Sequence, residues 1–174
     1  MKTIFLSAGH STTDPGAVGN GLKEADVAVE VRNAVAGHLR TMGVTCEVDA
    51  KGSGNLPLRD AVKAAKRHQI AVEFHCNAAA NPAATGVETL QAAKDKALGT
   101  ALCDAIAVAL KIKNRGAKPE NAGQHHRLAF VQAGGIIVEL FFISNPADVK
   151  AYTERKQGMC WLIAQRLAIA AVAD

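Results

Sequence analysis

The amino-acid sequence predicts an α/β domain, and three observations carry that prediction. Hydrophobic residues fill 49% of the 174 positions but aromatic ones only 4%. That balance suits small side chains packing helices closely against a sheet, and argues against an aromatic-rich β-sandwich or a protein that stacks nucleic-acid bases. Short apolar runs of strand length, about six in all, are interspersed with segments whose apolar residues recur every three or four positions. The run at 136–141 is apolar on both faces, as a strand in the middle of a sheet would be. A chain of this length buries a core without disulfides or a partner, so one domain over 1–174, one active site and a monomer are expected.

Residues 4–6 open a buried strand that ends at Gly9-His10, and a polar loop suited to a ligand follows through Thr12, Asp14-Pro15-Gly16 and Gly19-Asn20-Gly21. From 23 to 42, Val27, Val31, Ala34, Val35, His38 and Met42 recur at helical spacing, and Gly43 supplies the stop. A short strand at 44–48 and a glycine-rich loop at 51–55 lead to Pro57, the start of a second helix reaching about His68. A third strand spans 70–75, Asn81-Pro82 makes a turn, 86–90 is extended, and 95–112 is a helix with Leu98, Leu102, Ile106 and Leu110 on one stripe. Residues 113–127 read as a weakly structured polar loop, and 128–131 and 136–141 as two closing strands. Asn145-Pro146 provides an N-cap and a first-turn proline, with Asp148 favourable to the helix dipole. A last helix over 153–171 turns Cys160, Ile163, Ala164, Leu167 and Ala171 to one face and leaves Trp161 on its flank.

The formal charge of +4 would favour an acidic partner such as a cell wall or a nucleic acid. The basic residues are scattered, however, and Lys63, Lys66 and Arg67 form a solvated helix face, so no nucleic-acid partner is expected. Cys46, Cys76, Cys103 and Cys160 show neither C-x-x-C spacing nor the density of a disulfide scaffold, and read as reduced thiols, most of them buried. The apolar run at the N-terminus is too brief for a signal peptide, and no stretch approaches the ~20 apolar residues of a membrane span. Synthesis in the cytoplasm without stable membrane association is the expectation.

His10, Glu24, His75 and Glu139 stand out because each lies at a strand end, at a helix start or inside an apolar strand. If the first, third and last apolar strands are parallel neighbours, their carboxyl ends gather on one edge of the sheet and His10 meets His75. Glu24 falls in the first turn of the first long helix, where the dipole favours an ionised carboxylate. Two histidines and one carboxylate suit zinc and leave its fourth position open, as hydrolysis requires. Glu139 interrupts Ile136-Ile137-Val138-Glu139-Leu140-Phe141-Phe142, and a buried lone carboxylate there needs compensation that a metal could supply, which makes it the candidate acid/base. Spacing alone leaves structural roles open for all four.

Other motifs fall away. Gly19-Asn20-Gly21 would need glycine, not Glu24, to complete a dinucleotide loop, and the chain has neither a G-K-[ST] phosphate loop nor a G-x-S-x-G elbow. Cys76 should point away from its neighbour His75 and be a core thiol. His38 and His68 read as structural residues on helices, and His125-His126 as surface residues. Asn77 either bonds a substrate or caps the turn after its strand.

The segments Ser7-Ala8-Gly9-His10, Asp14-Pro15-Gly16-Ala17, Glu24, His75-Cys76-Asn77-Ala78, Gly86-Val87-Glu88-Thr89 and Val138-Glu139-Leu140-Phe141-Phe142-Ile143-Ser144-Asn145 occur in order across nearly the whole chain. Together they resemble the type 3 family of N-acetylmuramoyl-L-alanine amidases. The resemblance implies a mixed, mostly parallel central sheet of about six strands flanked by helices on both faces. It implies one zinc ion held by His10, Glu24 and His75, with Glu139 as catalytic acid/base and peptidoglycan as substrate. It further implies a bacteriolytic hydrolase, either a compact phage-type endolysin or the catalytic domain of a larger exported amidase.

Two features depart from the family pattern. Glu73 stands where serine is common two residues before the second zinc histidine, and reads as an exposed ion pair or a buried, hydrogen-bonded carboxylate in preference to a further ligand. Val48-Asp49-Ala50-Lys51 replaces an arginine often found after the second strand, so the substrate contact that arginine would make is not carried over to this chain. A zinc peptidase cutting within the stem peptide, or a non-catalytic wall-binding module, are the competing readings.

Overall fold

The computed structural model describes residues 1–52, 54–122 and 127–173, so the expected surface pair His125-His126 lies outside the described residues. A six-stranded sheet forms the centre: β1 (Ile4–Ala8), β4 (Cys46–Val48), β5 (Ile70–Asn77), β6 (Val87–Gln91), β7 (Asn114–Pro119) and β8 (Ile136–Phe142), in the order β4-β1-β5-β8-β6-β7. The first four in that order are parallel, β6 runs antiparallel to β8, and β7 runs parallel to β6. Strands β2 (Val18–Gly19) and β3 (Leu22–Lys23) form a separate hairpin that delivers the chain into helix α1 (Glu24–Thr41). The other helices are α2 (Leu58–Ala65), α3 (Lys96–Leu110), α4 (Ala129–Gln132) and α5 (Pro146–Val172).

Alternation along the strands divides the core in two. Ile4, Leu6, Val72, Phe74, Ile136 and Val138 face the long helices α1, α3 and α5, which bury them completely or nearly so. On the other face Phe5, Ala71, Ile137 and Leu90 meet only α2 and α4, which have eight and four residues. Two short helices cannot cover the whole sheet face. Its uncovered part lies toward the carboxyl ends of β1, β5 and β8, where Ser7, Glu73, His75 and Glu139 continue the same alternation and replace apolar side chains. The thin helical layer therefore positions the cleft.

Three expectations need correction. Residues 114–119 form edge strand β7, not a loop, and a short 3₁₀ turn Glu120–Ala122 follows it. Being paired on one side only, β7 tolerates the polar sequence NRGAKP and leaves no apolar signature. Residues 128–131 turn into helix α4, because a four-residue apolar run has no period long enough to tell strand from helix, and Phe130 and Val131 reach the core as well from a helical turn. The sheet still has six strands because β7 takes the place assigned to that segment. The two helices expected at 146 and 153 are one, α5, capped by Asn145, whose side chain accepts bonds from the Ala147 and Asp148 amides.

His38 lies on α1, whereas His68 falls just beyond α2 and stacks on Phe5 at 5.5 Å between ring centres. All four cysteines are free thiols, Cys76, Cys103 and Cys160 buried, and burial pushes the Cys160 thiol up to about 12. Among the described residues, no helix is long and apolar enough to cross a membrane.

Candidate active site

Strand β1 ends on Gly9-His10, and His10 takes a left-handed backbone (φ +63) that turns its ring across the sheet edge toward β5. Gly9 must lack a side chain, because a Cβ there would lie 2.2 Å from Cε1 of His75. The two imidazoles meet edge to face, 5.1 Å between centres. Glu24, first residue of α1, points back under them. Its Oε1 lies 3.0 Å from His10 Nε2 and 2.9 Å from His75 Nδ1 and accepts the Cys76 amide at 3.0 Å, while its Oε2 accepts the Ala17 amide at 2.9 Å.

The electrostatics follow from that geometry. Burial works to raise the Glu24 pKa, but hydrogen bonds from His10 and His75 outweigh it and hold the carboxyl well below its ordinary range. The Glu24 hydrogen bond raises His10 against the opposing effect of burial. His75 is also opposed by burial, yet Glu24 and Glu73 carry it well above the usual imidazole value. Glu24 thus stabilises protons on both rings, and a cation binding here displaces them.

Glu139 stands across the cleft floor, in register with His75 on β5 and with Glu88 on β6. Its Oε2 is out of contact with solvent and has no hydrogen-bond partner among the described residues. Burial, with Glu24 and Glu88 adding repulsion and the histidines opposing, pushes its pKa up to about 7. The four residues therefore line one open cavity of about 620 Å³.

His10, Glu24 and His75 each offer a ligand atom within 4.8 Å of the others, and this trio faces the cavity. Two imidazoles and a carboxylate suit a divalent cation with a position left for water. The unpartnered oxygen of Glu139 supports the same fit, since a nearby cation would compensate it.

Asn77 also lines the cavity, but its Nδ2 donates to Glu88 Oε1 at 3.0 Å. Glu88 is the member of the site that sequence reasoning passed over. It is buried at the cleft wall and receives Arg115 Nε at 2.5 Å and Lys118 Nζ at 2.6 Å, which hold it ionised below its ordinary range in spite of burial. Arg115 also lies over the Phe142 ring, 4.9 Å from its centre. The strand V-E-T-L-Q has three polar residues in five, so its carboxylate does not break an apolar run as Glu139 does.

Glu73 is buried, with Oε1 3.1 Å from His75 Nε2 and Oε2 accepting from Ser7 Oγ at 3.0 Å. Of the two preferred readings, the buried hydrogen-bonded carboxylate is the one observed. Asp49, near the place where an arginine is often found, turns inward to Ser7, the Ala8 amide and Arg32.

A family model described as N-acetylmuramoyl-L-alanine amidase matches residues 4–168. The chain shares 49% identity with an assigned N-acetylmuramoyl-L-alanine amidase of Neisseria meningitidis, with a TM-score of 0.90 over 97% of this chain and 95% of that one. It shares 25% with the amidase AmiC2 of Nostoc punctiforme, TM-score 0.85 over 97% and 96%. It is 28% identical over 154 residues to the amidase LytC of Bacillus subtilis, covering 84% of this chain and 30% of LytC.

Proposed function

We infer the reaction from the premise that this chain belongs to the N-acetylmuramoyl-L-alanine amidase family and is an enzyme of it. The substrate is peptidoglycan. The bond cut is the amide between the lactyl group of N-acetylmuramic acid and L-alanine, and the cofactor is one zinc ion held by His10, Glu24 and His75. The observation that carries this reading is Glu139, whose buried Oε2 has no partner among the described residues, facing a two-histidine, one-carboxylate set across an open cleft.

When bound, zinc would supply Lewis acidity, polarising the scissile carbonyl and making water a nucleophile near neutral pH. Glu139 does the proton work. Facing the metal set across the cleft, it takes a proton from the attacking water and returns it to the departing amine. Asn77, whose Nδ2 is committed to Glu88, keeps its carbonyl oxygen to accept a bond from substrate. Arg115 and Lys118 hold the far wall of the cleft in place through Glu88.

Incubating purified peptidoglycan with the protein should release stem peptides that begin at L-alanine, seen by mass spectrometry, with loss on chelation and recovery with zinc. Peptides trimmed internally would move the reading to a zinc peptidase, and an absence of products with zinc present would favour a binding module. The double variant His10→Ala/His75→Ala should lose zinc altogether. Stoichiometric zinc retained on that variant after dialysis would overturn the ligand set.

A further inference from the structure

We propose that Glu73 is a positioning residue for the metal centre: its carboxylate takes the Nε2 proton of His75 as a hydrogen bond, so that the ring offers Nδ1 to zinc and is held in that orientation. The inference rests on the zinc reading above. His75 has two ring nitrogens facing two different carboxylates, Nδ1 toward Glu24 Oε1 at 2.9 Å and Nε2 toward Glu73 Oε1 at 3.1 Å. Only the Glu24 side also faces His10 Nε2, so Nδ1 is the nitrogen that belongs to the converging set. A carboxylate accepts hydrogen bonds, and a ring nitrogen cannot both bind a cation and donate. Nε2 must therefore carry the proton, and Glu73 is the group placed to receive it.

Glu73 is itself held. It lies two residues from His75 on one strand and so on one face, only 5% exposed. Its second oxygen accepts from Ser7 Oγ, and that hydroxyl also lies 3.2 Å from Asp49 Oδ2. Asp49 in turn accepts the Ala8 amide at 3.1 Å and the Arg32 guanidinium at 2.5 Å. A chain of buried polar contacts thus runs from the core side of α1 to the back of His75, and leaves the Glu73 carboxylate little freedom to swing away.

His10 supplies an internal contrast. Its Nδ1 faces Asp14 at 3.1 Å, but the Asp14 side chain is 66% exposed. An outer carboxylate in water orients a ligand less than one locked in the core, so the two positions should differ in effect.

The test is zinc affinity of the full chain by competition with a chromophoric chelator, alongside ¹⁵N-histidine NMR of the zinc-loaded protein. Glu73→Ala should weaken zinc binding by roughly 10–100-fold, Glu73→Gln should restore part of the loss because its amide oxygen still accepts from Nε2, and Asp14→Asn should change affinity by less than about threefold. In the wild type, NMR should show His75 coordinated through Nδ1 with a slowly exchanging Nε2 proton, a signal that Glu73→Ala loses. Coordination through Nε2 in the wild type would overturn the proposal. So would zinc binding within twofold of wild type in both Glu73 variants. A wild-type chain that takes up no zinc removes the zinc reading and the proposal together, whereas tight wild-type binding with indifferent Glu73 variants removes the proposal alone.

Discussion

Glu139→Gln should lower peptidoglycan hydrolysis by roughly 10²–10⁴-fold, the usual contribution of a positioned acid/base, and still bind zinc, though less tightly because a compensating charge is gone. The same substitution should raise stability in the metal-free protein. Burial pushes the native Glu139 pKa up to about 7 from an ordinary 4.5, so between those values the folded state binds more protons than the unfolded one. Stability attributable to this group is therefore full below about pH 4.5 and is lost as pH rises through 7. At one proton and 1.36 kcal/mol per pKa unit, the loss is on the order of 3 kcal/mol by pH 8. Glutamine cannot ionise and escapes it. Denaturant melts with chelator present should find the variant and wild type equal near pH 4.5 and the variant more stable at pH 8, with the gap narrowing when zinc compensates the charge. Wild-type turnover by Glu139→Gln would remove its catalytic role, and a variant less stable at pH 8 would show that the carboxylate is compensated in the metal-free fold.

That pairing of lost activity with gained stability explains why the site was legible. A carboxylate inside Ile136-Ile137-Val138-Glu139-Leu140-Phe141-Phe142 contradicts its local pattern, and such contradictions mark function. His10, Glu24 and His75 could be gathered because β1, β5 and β8 are apolar enough to be recognised as central parallel strands, whose carboxyl ends must lie together. Glu88 needed knowledge of a different kind. It reaches Glu139 because β6 docks antiparallel beside β8 in one register, and no local pattern in 87–91 specifies that neighbour. Strand β7 was missed for a related reason, since its stabilisation comes from β6 and not from its own side chains. The break expected in α5 before Thr153 is absent, because Ala151 and Tyr152 are buried and carry the helix from its Asn145 cap straight into 153–171.

Arg32 is the residue least visible in the sequence, and its removal should carry the largest cost to stability. It lies on α1 between Val31 and Asn33 and is 0% exposed. A buried guanidinium is tolerable only if its donors are all matched, and here they are. Nη1 reaches Asp49 Oδ1 at 2.5 Å and the Gly54 carbonyl at 2.7 Å, Nη2 reaches the Gly52 carbonyl and Asn33 Oδ1 at 2.9 Å each, and Nε reaches Asn33 Oδ1 at 3.1 Å. Removing either partner leaves the other as an uncompensated buried charge, and removing Arg32 also unfastens the loop after β4. Arg32→Met and Asp49→Ala should each therefore cost about 3–5 kcal/mol in chemical denaturation. The double variant Arg32→Met/Asp49→Leu should recover much of that, because an apolar pair of similar volume no longer strands a charge. Its zinc affinity should nonetheless remain below wild type if Asp49 helps hold Ser7 and Glu73 behind His75. A cost under 1 kcal/mol for either single variant would show that water reaches this pair, and the rigid connection from α1 to the metal centre would fail with it.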